Sequence, residues 1–299
     1  MYRKFSLVNS DNATWNLTDP LTKTFANNPE GLGLRTNYNG YRLGNKIRVS
    51  GFTYEFINKN FDIIFYGDTQ EEIYHNYSKF VQFITTGELL LLYEIPSDKA
   101  VYRIKILINE LSKTEIKENG YMSCSFSMTP LSFWEDSQKN VITINASSSS
   151  SSGVNSTNLK SYPLTRPYAY AASGFDDIEV NTKGNFETPI EVTIVGETSD
   201  PQYNIYNEDN KLTGVCKLDG SFDFVYINSD EIDEEMVLLH NGVILPNPYN
   251  YQDIEVGDNE TTKVTFLTFN KGFNKLTFNL GSTFDGTVKI EWRNRYISI

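Results

Sequence analysis

The side chains that most often bind metals or act as nucleophiles are scarce in this chain of 299 residues. It has two histidines, His75 and His240, and two cysteines, Cys124 and Cys216. A zinc site needs three or four protein ligands, and neither histidine has further ligands at such a spacing. Each cysteine lies in a probable strand, which favours buried reduced thiols over a disulfide. We therefore predict no metal site, no cofactor and no catalytic residue.

Carboxylates offer two further chemistries. The acidic run Ser229 to Glu235 could bind calcium, although it is most simply a solvated turn. Paired carboxylates could hydrolyse a glycosidic bond, and this alternative stays open because such pairs come from distant parts of a fold. The sequence has no Walker loop, nucleophile elbow, His-Glu-x-x-His motif or dinucleotide fingerprint. The chain is therefore predicted not to be an enzyme.

Two tyrosines suggest an alternative function, the recognition of host cell-wall polysaccharide. Tyr249 and Tyr251 follow Pro246-Asn-Pro248 and could form a platform on which sugar rings stack. Proline and asparagine beside tyrosine are also ordinary loop composition. Trp15, Trp134 and Trp292 all lie outside residues 159–286. The predicted outer domain thus has no tryptophan of its own for sugar stacking.

The net charge of −12 is unevenly distributed. Residues 1–140 have 15 Lys and Arg against 16 Asp and Glu, whereas residues 141–299 have 11 against 22. An acidic surface repels phosphates, so neither nucleic acid nor an anionic membrane is expected as a partner. No apolar run approaches the ~18 residues of a membrane span, and the first ten residues do not resemble a signal peptide. We expect folding in a cytoplasm.

A run of six serines, Ser147 to Ser152, divides the chain near its middle. Such a stretch buries no apolar surface, so residues 141–158 are predicted to be a flexible linker between two domains. The last segment, Thr287 to Arg295, is basic, whereas residues 141–286 are strongly acidic. We therefore expect residues 287–299 to return to the near-neutral domain of residues 1–140 and to pair with it.

The first half is predicted to be a sheet structure with one helix over about residues 68–85. Asp68-Thr-Gln-Glu71 has the spacing of a capping box, and Gly87 would end the helix. Strands are predicted on both sides of the helix, and Gly51 is expected to mark a bulge. Pro20 to Gly44 has little periodicity and is predicted to be a long loop or extended arm. So long a loop should be either functional or held by something outside its own domain.

The second half is predicted to be all β over residues 159–286. Short segments rich in β-branched and aromatic residues alternate with Gly, Asn, Asp and Pro turns. This spacing is typical of a sandwich or jelly roll.

Stretches from both halves share their pattern with one known family. In the first half these are Pro29 to Leu34, the capped helix, Lys113-Thr-Glu-Ile116 and Gly120 to Trp134. In the second half they are Ile178 to Gly196 and the following Asp200-Pro201. Together they resemble the distal tail protein (Dit) family of siphophages, over nearly the whole chain. The serine run is not part of that pattern.

The resemblance implies both a fold and a function. The fold is mainly β, with an N-terminal β-sandwich or split-barrel-like domain carrying one α-helix and a C-terminal galectin-like or carbohydrate-module-like β-sandwich. The function is that of a virion structural protein at the distal end of the tail, a homohexameric ring assembled in the host cytoplasm. Its implied partners are the major tail tube protein, the tail-associated lysin or hub protein, and receptor-binding or baseplate proteins used in host attachment.

Overall fold

The computed structural model describes residues 4–43, 46–97, 99–115, 120–145, 177–253, 263–281 and 284–299. Within these ranges the chain forms 23 strands, one α-helix and one 3-10 helix, which confirms the mainly β fold. The chain divides into two compact units, Met1–Ser137 with Arg295–Ile299, and Gln138–Asn294. In the part of the chain that is described, no helix is both long and apolar enough to cross a membrane.

The first unit is built on a nine-stranded antiparallel sheet. Seven strands follow one another across it: β2 (Thr14–Asn16), β1 (Lys4–Val8), β7 (Leu89–Ile95), β8 (Ala100–Leu111), β9 (Tyr121–Pro130), β6 (Lys59–Tyr66) and β3 (Thr24–Glu30). The remaining two are β10 (Trp134–Asp136), which pairs with β8, and β23 (Arg295–Tyr296), which pairs with β10. Alternate residues of β6 and β7 are buried, because successive side chains of a strand point to opposite faces.

Helix α1 (Gln70–Ile84) covers the buried face of this sheet. It buries Ile73, Phe80 and Ile84, and the Phe80 ring lies 5.5 Å from that of Phe126 in the sheet. The N-cap is Thr69, one residue later than predicted, since its side chain accepts a hydrogen bond from the Glu72 amide. The Glu72 carboxylate in turn accepts one from the Asp68 amide. The capping box is real, but it is shifted by one residue.

The region predicted as a long loop or extended arm, Pro20 to Gly44, contains two strands. Its first part forms β3, which pairs with β6 at the sheet edge. Its second part forms β4 (Arg35–Leu43), which pairs only with β5 (Lys46–Glu55) in a separate two-stranded sheet. The pairing slips beside Asn39 and leaves Ser50 without a partner, next to the predicted bulge position Gly51. Strand β4 is difficult to predict, because its sequence is rich in asparagine and asparagine is uncommon in strands.

The second unit is a sandwich of two sheets around one core. The seven-stranded sheet runs through β11 (Asn140–Asn145), β22 (Thr287–Trp292), β13 (Thr188–Ser199), β16 (Ser221–Asn228), β17 (Glu235–His240) and β18 (Val243–Ile244), with β20 (Thr268–Phe269) on β13. The five-stranded sheet runs through β12 (Ile178–Thr182), β21 (Gly272–Asn279), β14 (Gln202–Asn207), β15 (Leu212–Lys217) and β19 (Lys263–Val264). The predicted sandwich is therefore present.

The prediction that residues 287–299 pair with the first domain is wrong for most of that segment. Strand β22 lies between β11 and β13 in the second unit. Its alternate apolar residues Val288, Ile290 and Trp292 are buried in the sandwich core, and this burial outweighs the charge difference on which the prediction rested. Only Arg295–Ile299 belongs to the first unit. Of the predicted linker, residues 141–145 are part of β11, and residues 146–158 lie outside the described residues.

A buried ionic cluster holds the returning end of the chain in the first unit. The Glu135 carboxylate on β10 accepts a hydrogen bond from Arg295 Nε at 3.1 Å and another from Arg103 Nη2 at 3.0 Å. The Arg295 side chain is only 2% exposed and that of Glu135 8%. A charge so buried is costly unless it is paired, so each of these two groups needs the other.

Replacing Arg295 with methionine should therefore destabilise the first unit strongly. We expect a loss of about 3–5 kcal/mol in the free energy of unfolding, because Glu135 would remain buried with its charge incompletely paired. Urea unfolding followed by tryptophan fluorescence in a Trp292→Phe background would report on Trp15 and Trp134 of the first unit. The control is Lys4→Met, since Lys4 pairs with Glu94 on the surface and such pairs contribute about 1 kcal/mol or less. Equal losses for both variants would contradict this assignment.

Candidate assembly surface

The two histidines considered for metal chemistry belong to different units. His75 is exposed on α1 and His240 is exposed at the end of β17. Among the described residues no group of three His, Cys, Asp or Glu could hold a metal ion. The acidic run Ser229 to Glu235 forms a turn between β16 and β17 with internal hydrogen bonds. Asp230 Oδ1, for example, accepts from the Ile232 amide at 3.0 Å.

The two cysteines are free, buried thiols on strands, as predicted. Burial raises the pKa of Cys124 to about 11 and that of Cys216 to about 12. Since the thiolate is the reactive form, both cysteines are inert at neutral pH.

The structure does not bring Tyr249 and Tyr251 together as a sugar platform. Both lie on the single 3-10 helix Pro248–Tyr251, where residues two apart point to different sides. The ring of Tyr251 packs edge-on against Phe222 at 5.7 Å, whereas Tyr249 is 49% exposed and faces Phe266 at 6.2 Å. Of the two rings that could have formed a platform, only that of Tyr249 is exposed.

The β4–β5 hairpin is the surface with the clearest functional character. Cross-strand register assigns its side chains to two faces. One face has Tyr38 opposite Phe52, with Tyr54 next to Phe52 at a ring distance of 5.5 Å. The other face is mainly polar and includes Arg35, paired with Glu55 at 3.9 Å. We call the first of these the aromatic face of the hairpin.

The aromatic face is open to solvent. Tyr38 is 69% exposed, Phe52 56% and Val49 52%. Large apolar side chains so exposed and so close together mark an interaction surface. The sequence predicted β5 but missed β4, and therefore missed the hairpin. The hairpin is indicated in the sequence by the dipeptide Gly44-Asn45, which lies between two strand-length segments. Such a dipeptide is typical of a two-residue hairpin loop.

Comparison with known protein families assigns the first unit. The model described as "Distal tail protein, N-terminal domain" matches residues 4–131. Residues 4–131 therefore form a distal tail protein N-terminal domain. The resemblance seen in the sequence is thereby confirmed. No curated protein sequence matches the chain.

Solved structures of phage tail proteins share the fold along the whole chain. A chain of the phage P2 baseplate, in its activated conformation with calcium, is 17% identical with a TM-score of 0.61, and each chain is covered in full. The Dit protein of phage SPP1 is 9% identical with a TM-score of 0.60, covering 96% of this chain and 98% of that one. At these identities the likeness shows the fold, and both units are part of it.

In the first unit the root of the hairpin is tightly fixed. Gly31 has a φ of +76°, and a Cβ there would lie 1.9 Å from the carbonyl oxygen of Asn58. The neighbouring Lys59 donates a hydrogen bond from Nζ to the Gly31 carbonyl oxygen. Lys59 is 4% exposed, and its Nζ lies 5.8 Å from the centre of the Trp134 ring. The two ends of the segment 31–58 are therefore fixed to each other.

Burial of Lys59 predicts a pH dependence of stability. Burial lowers the pKa of Lys59 to about 8, whereas an unfolded chain keeps a lysine pKa of about 10.4. Between these values the unfolded chain binds more protons, so the stability contributed by Lys59 rises with pH through this window. Relative to Lys59→Met, the natural chain should gain about 2.5 kcal/mol in unfolding free energy from pH 8 to pH 10.5. Urea unfolding at several pH values measures this difference.

The matched control is Lys79→Met, because Lys79 is exposed on α1. A difference of the same size and pH dependence for both lysine variants would contradict the assignment to Lys59.

Proposed function

We propose that six copies of this chain form a ring at the distal end of a siphophage tail. In this proposal the ring joins the major tail tube protein to the tail-associated lysin or hub protein. The family of the first unit and the shared fold support it. The SPP1 protein is described as a paradigm of the hub adsorption apparatus in phages infecting Gram-positive bacteria, and the P2 chain is part of a baseplate.

The observation that carries the proposal is the open aromatic face of the β4–β5 hairpin. A two-stranded hairpin is at best marginally stable in water, and it needs a third strand or an apolar surface to pack against. Among the described strands, β4 and β5 pair only with each other. We propose that the hairpin packs on a neighbouring copy of the chain. The same contact repeated around an axis closes a ring, because each copy offers one surface and accepts another.

The second unit is proposed to be the galectin-like outer domain, which attaches receptor-binding or baseplate proteins. Residues 141–299 contain 22 of the 38 acidic residues of the chain, which suits an exposed and soluble periphery. The role is structural rather than enzymatic. The relatives that support it are structural proteins of phage tails.

The mass of the purified chain tests the ring. Mass photometry should show a species near six chains, with the monomer appearing only on dilution. The measurement is repeated with the tail tube protein present, because some rings need a partner to form. A chain that remains a monomer at every concentration and salt level, with and without that partner, would contradict the proposal.

A double variant, Tyr38→Ser with Phe52→Ser, tests the role of the hairpin. It removes the two largest exposed groups of the aromatic face, so we expect the six-chain species to be lost at micromolar concentration. The control is Tyr41→Ser, since Tyr41 is 51% exposed but lies on the opposite face of the same hairpin. An intact ring in the double variant, or equal loss in the control, would show that the aromatic face does not form the contact.

A further inference from the structure

A small cavity lies at the root of the β4–β5 hairpin in the first unit. Its volume is about 10 Å³. Gly33 and Ile57 line it from the two ends of the hairpin segment, Trp134 from β10 and Ile297 from the returning end of the chain. A void of this size holds one atom of about the size of a water molecule. A ligand of this cavity must therefore be very small.

Two buried side chains bring N–H donors to this cavity. Lys59 is 4% exposed and Trp134 1%, and both line the cavity. A lysine ammonium has three N–H donors, and Lys59 donates one of them to the Gly31 carbonyl oxygen. Trp134 Nε1 has no hydrogen-bond partner among the described residues. Because a buried donor without an acceptor is unfavourable, these groups favour a ligand that accepts hydrogen bonds.

The charge of Lys59 is not balanced by a carboxylate of the described residues. Burial alone lowers its pKa to about 8, so the side chain is still mainly protonated at neutral pH, and no described residue forms an ion pair with it. Glu55 is the other ionisable residue that lines the cavity. Its carboxylate already accepts a hydrogen bond from Asn37 and pairs with Arg35 at 3.9 Å. One buried positive charge therefore lacks a counter-ion, which is an unfavourable state.

We propose that this cavity binds one small monovalent anion, chloride, between Lys59 Nζ and Trp134 Nε1. Lys59 Nζ lies 5.8 Å from the centre of the Trp134 ring, a separation that one acceptor atom can bridge with two hydrogen bonds of about 3 Å. A water molecule would accept the same hydrogen bonds, but it would leave the charge of Lys59 unpaired. A phosphate or sulfate is too large for the cavity.

The bound anion stabilises the root of the hairpin. Lys59 holds the start of the hairpin segment through the Gly31 carbonyl oxygen, and Trp134 belongs to the core of the first unit. An anion that accepts from both side chains connects these two parts, and it stabilises the folded first unit because the unfolded chain has no such site. This site is formed within a single chain, so the inference does not depend on the proposed ring.

Thermal unfolding in sodium chloride and in sodium gluconate at the same ionic strength tests the site in the full chain. Above the dissociation constant, each tenfold increase in chloride should raise the melting temperature of the natural chain by about 3–5 °C at pH 7. Lys59→Met should abolish this rise, whereas Lys79→Met, a change at an exposed lysine, should preserve it. The rise should also disappear by pH 10, because a neutral Lys59 no longer attracts an anion. An equal rise for the natural chain and Lys59→Met would contradict the proposal.

A crystal of the natural chain grown in sodium bromide provides a second test, which applies even if Lys59→Met does not fold. Bromide has the charge of chloride and nearly its size, and it scatters X-rays anomalously. We expect an anomalous peak within hydrogen-bond distance of both Lys59 Nζ and Trp134 Nε1. A water molecule at this position without an anomalous peak, or no bound atom there, would overturn the proposal. A natural chain that remains a monomer would overturn the proposed ring and leave the anion site standing.

Discussion

The buried pairing of Glu135 with Arg295 determines how this chain is organised. It joins β10, the last strand before the chain leaves the first unit, to β23, the strand with which the chain returns. All residues of the second unit lie between these two strands in the sequence. The second unit is therefore an insertion with two connections, rather than a domain at the end of a serine-rich tether. Because an unpaired buried charge is so unfavourable, the returning end of the chain must place Arg295 beside Glu135.

The parts of the fold that the sequence predicted well depend on local patterns. Strands were predicted on both sides of the helix, and β7 is one of them, a short apolar run of strand length. The helix was predicted from its apolar face and its cap. Asp68 and Thr69 are both good N-cap residues and each precedes an acid by three positions, so the pattern alone could not choose between them. In the structure the N-cap is Thr69, and Ile73 and Phe80 face the sheet.

The parts that the sequence missed depend on contacts between distant residues. Apolar residues alternate clearly along strand β22, so it is easily predicted to be a strand. The local sequence does not show which sheet it joins, and the prediction from net charge was wrong. Apolar burial decides strand pairing, whereas surface charge in water contributes little. The hairpin strand β4 was missed for a related reason. Its asparagines favour turns when they are considered alone, and only pairing with the more apolar β5 makes it a strand.

The β4–β5 hairpin was missed in the sequence, and it is important because its aromatic face is exposed. A folded chain that leaves Tyr38 and Phe52 in water is in an unfavourable state, and contact with a partner removes that exposure. Binding that involves only the folded form also stabilises it by mass action, so a hairpin that is marginal in the single chain would become ordered in the proposed assembly. Because the root of the hairpin is fixed at Gly31 and Lys59, less ordering of the hairpin is required when it binds a partner. The net negative charge of the second half favours repulsion between copies of the chain. The proposed assembly through the aromatic face is therefore compatible with solubility of the single chain.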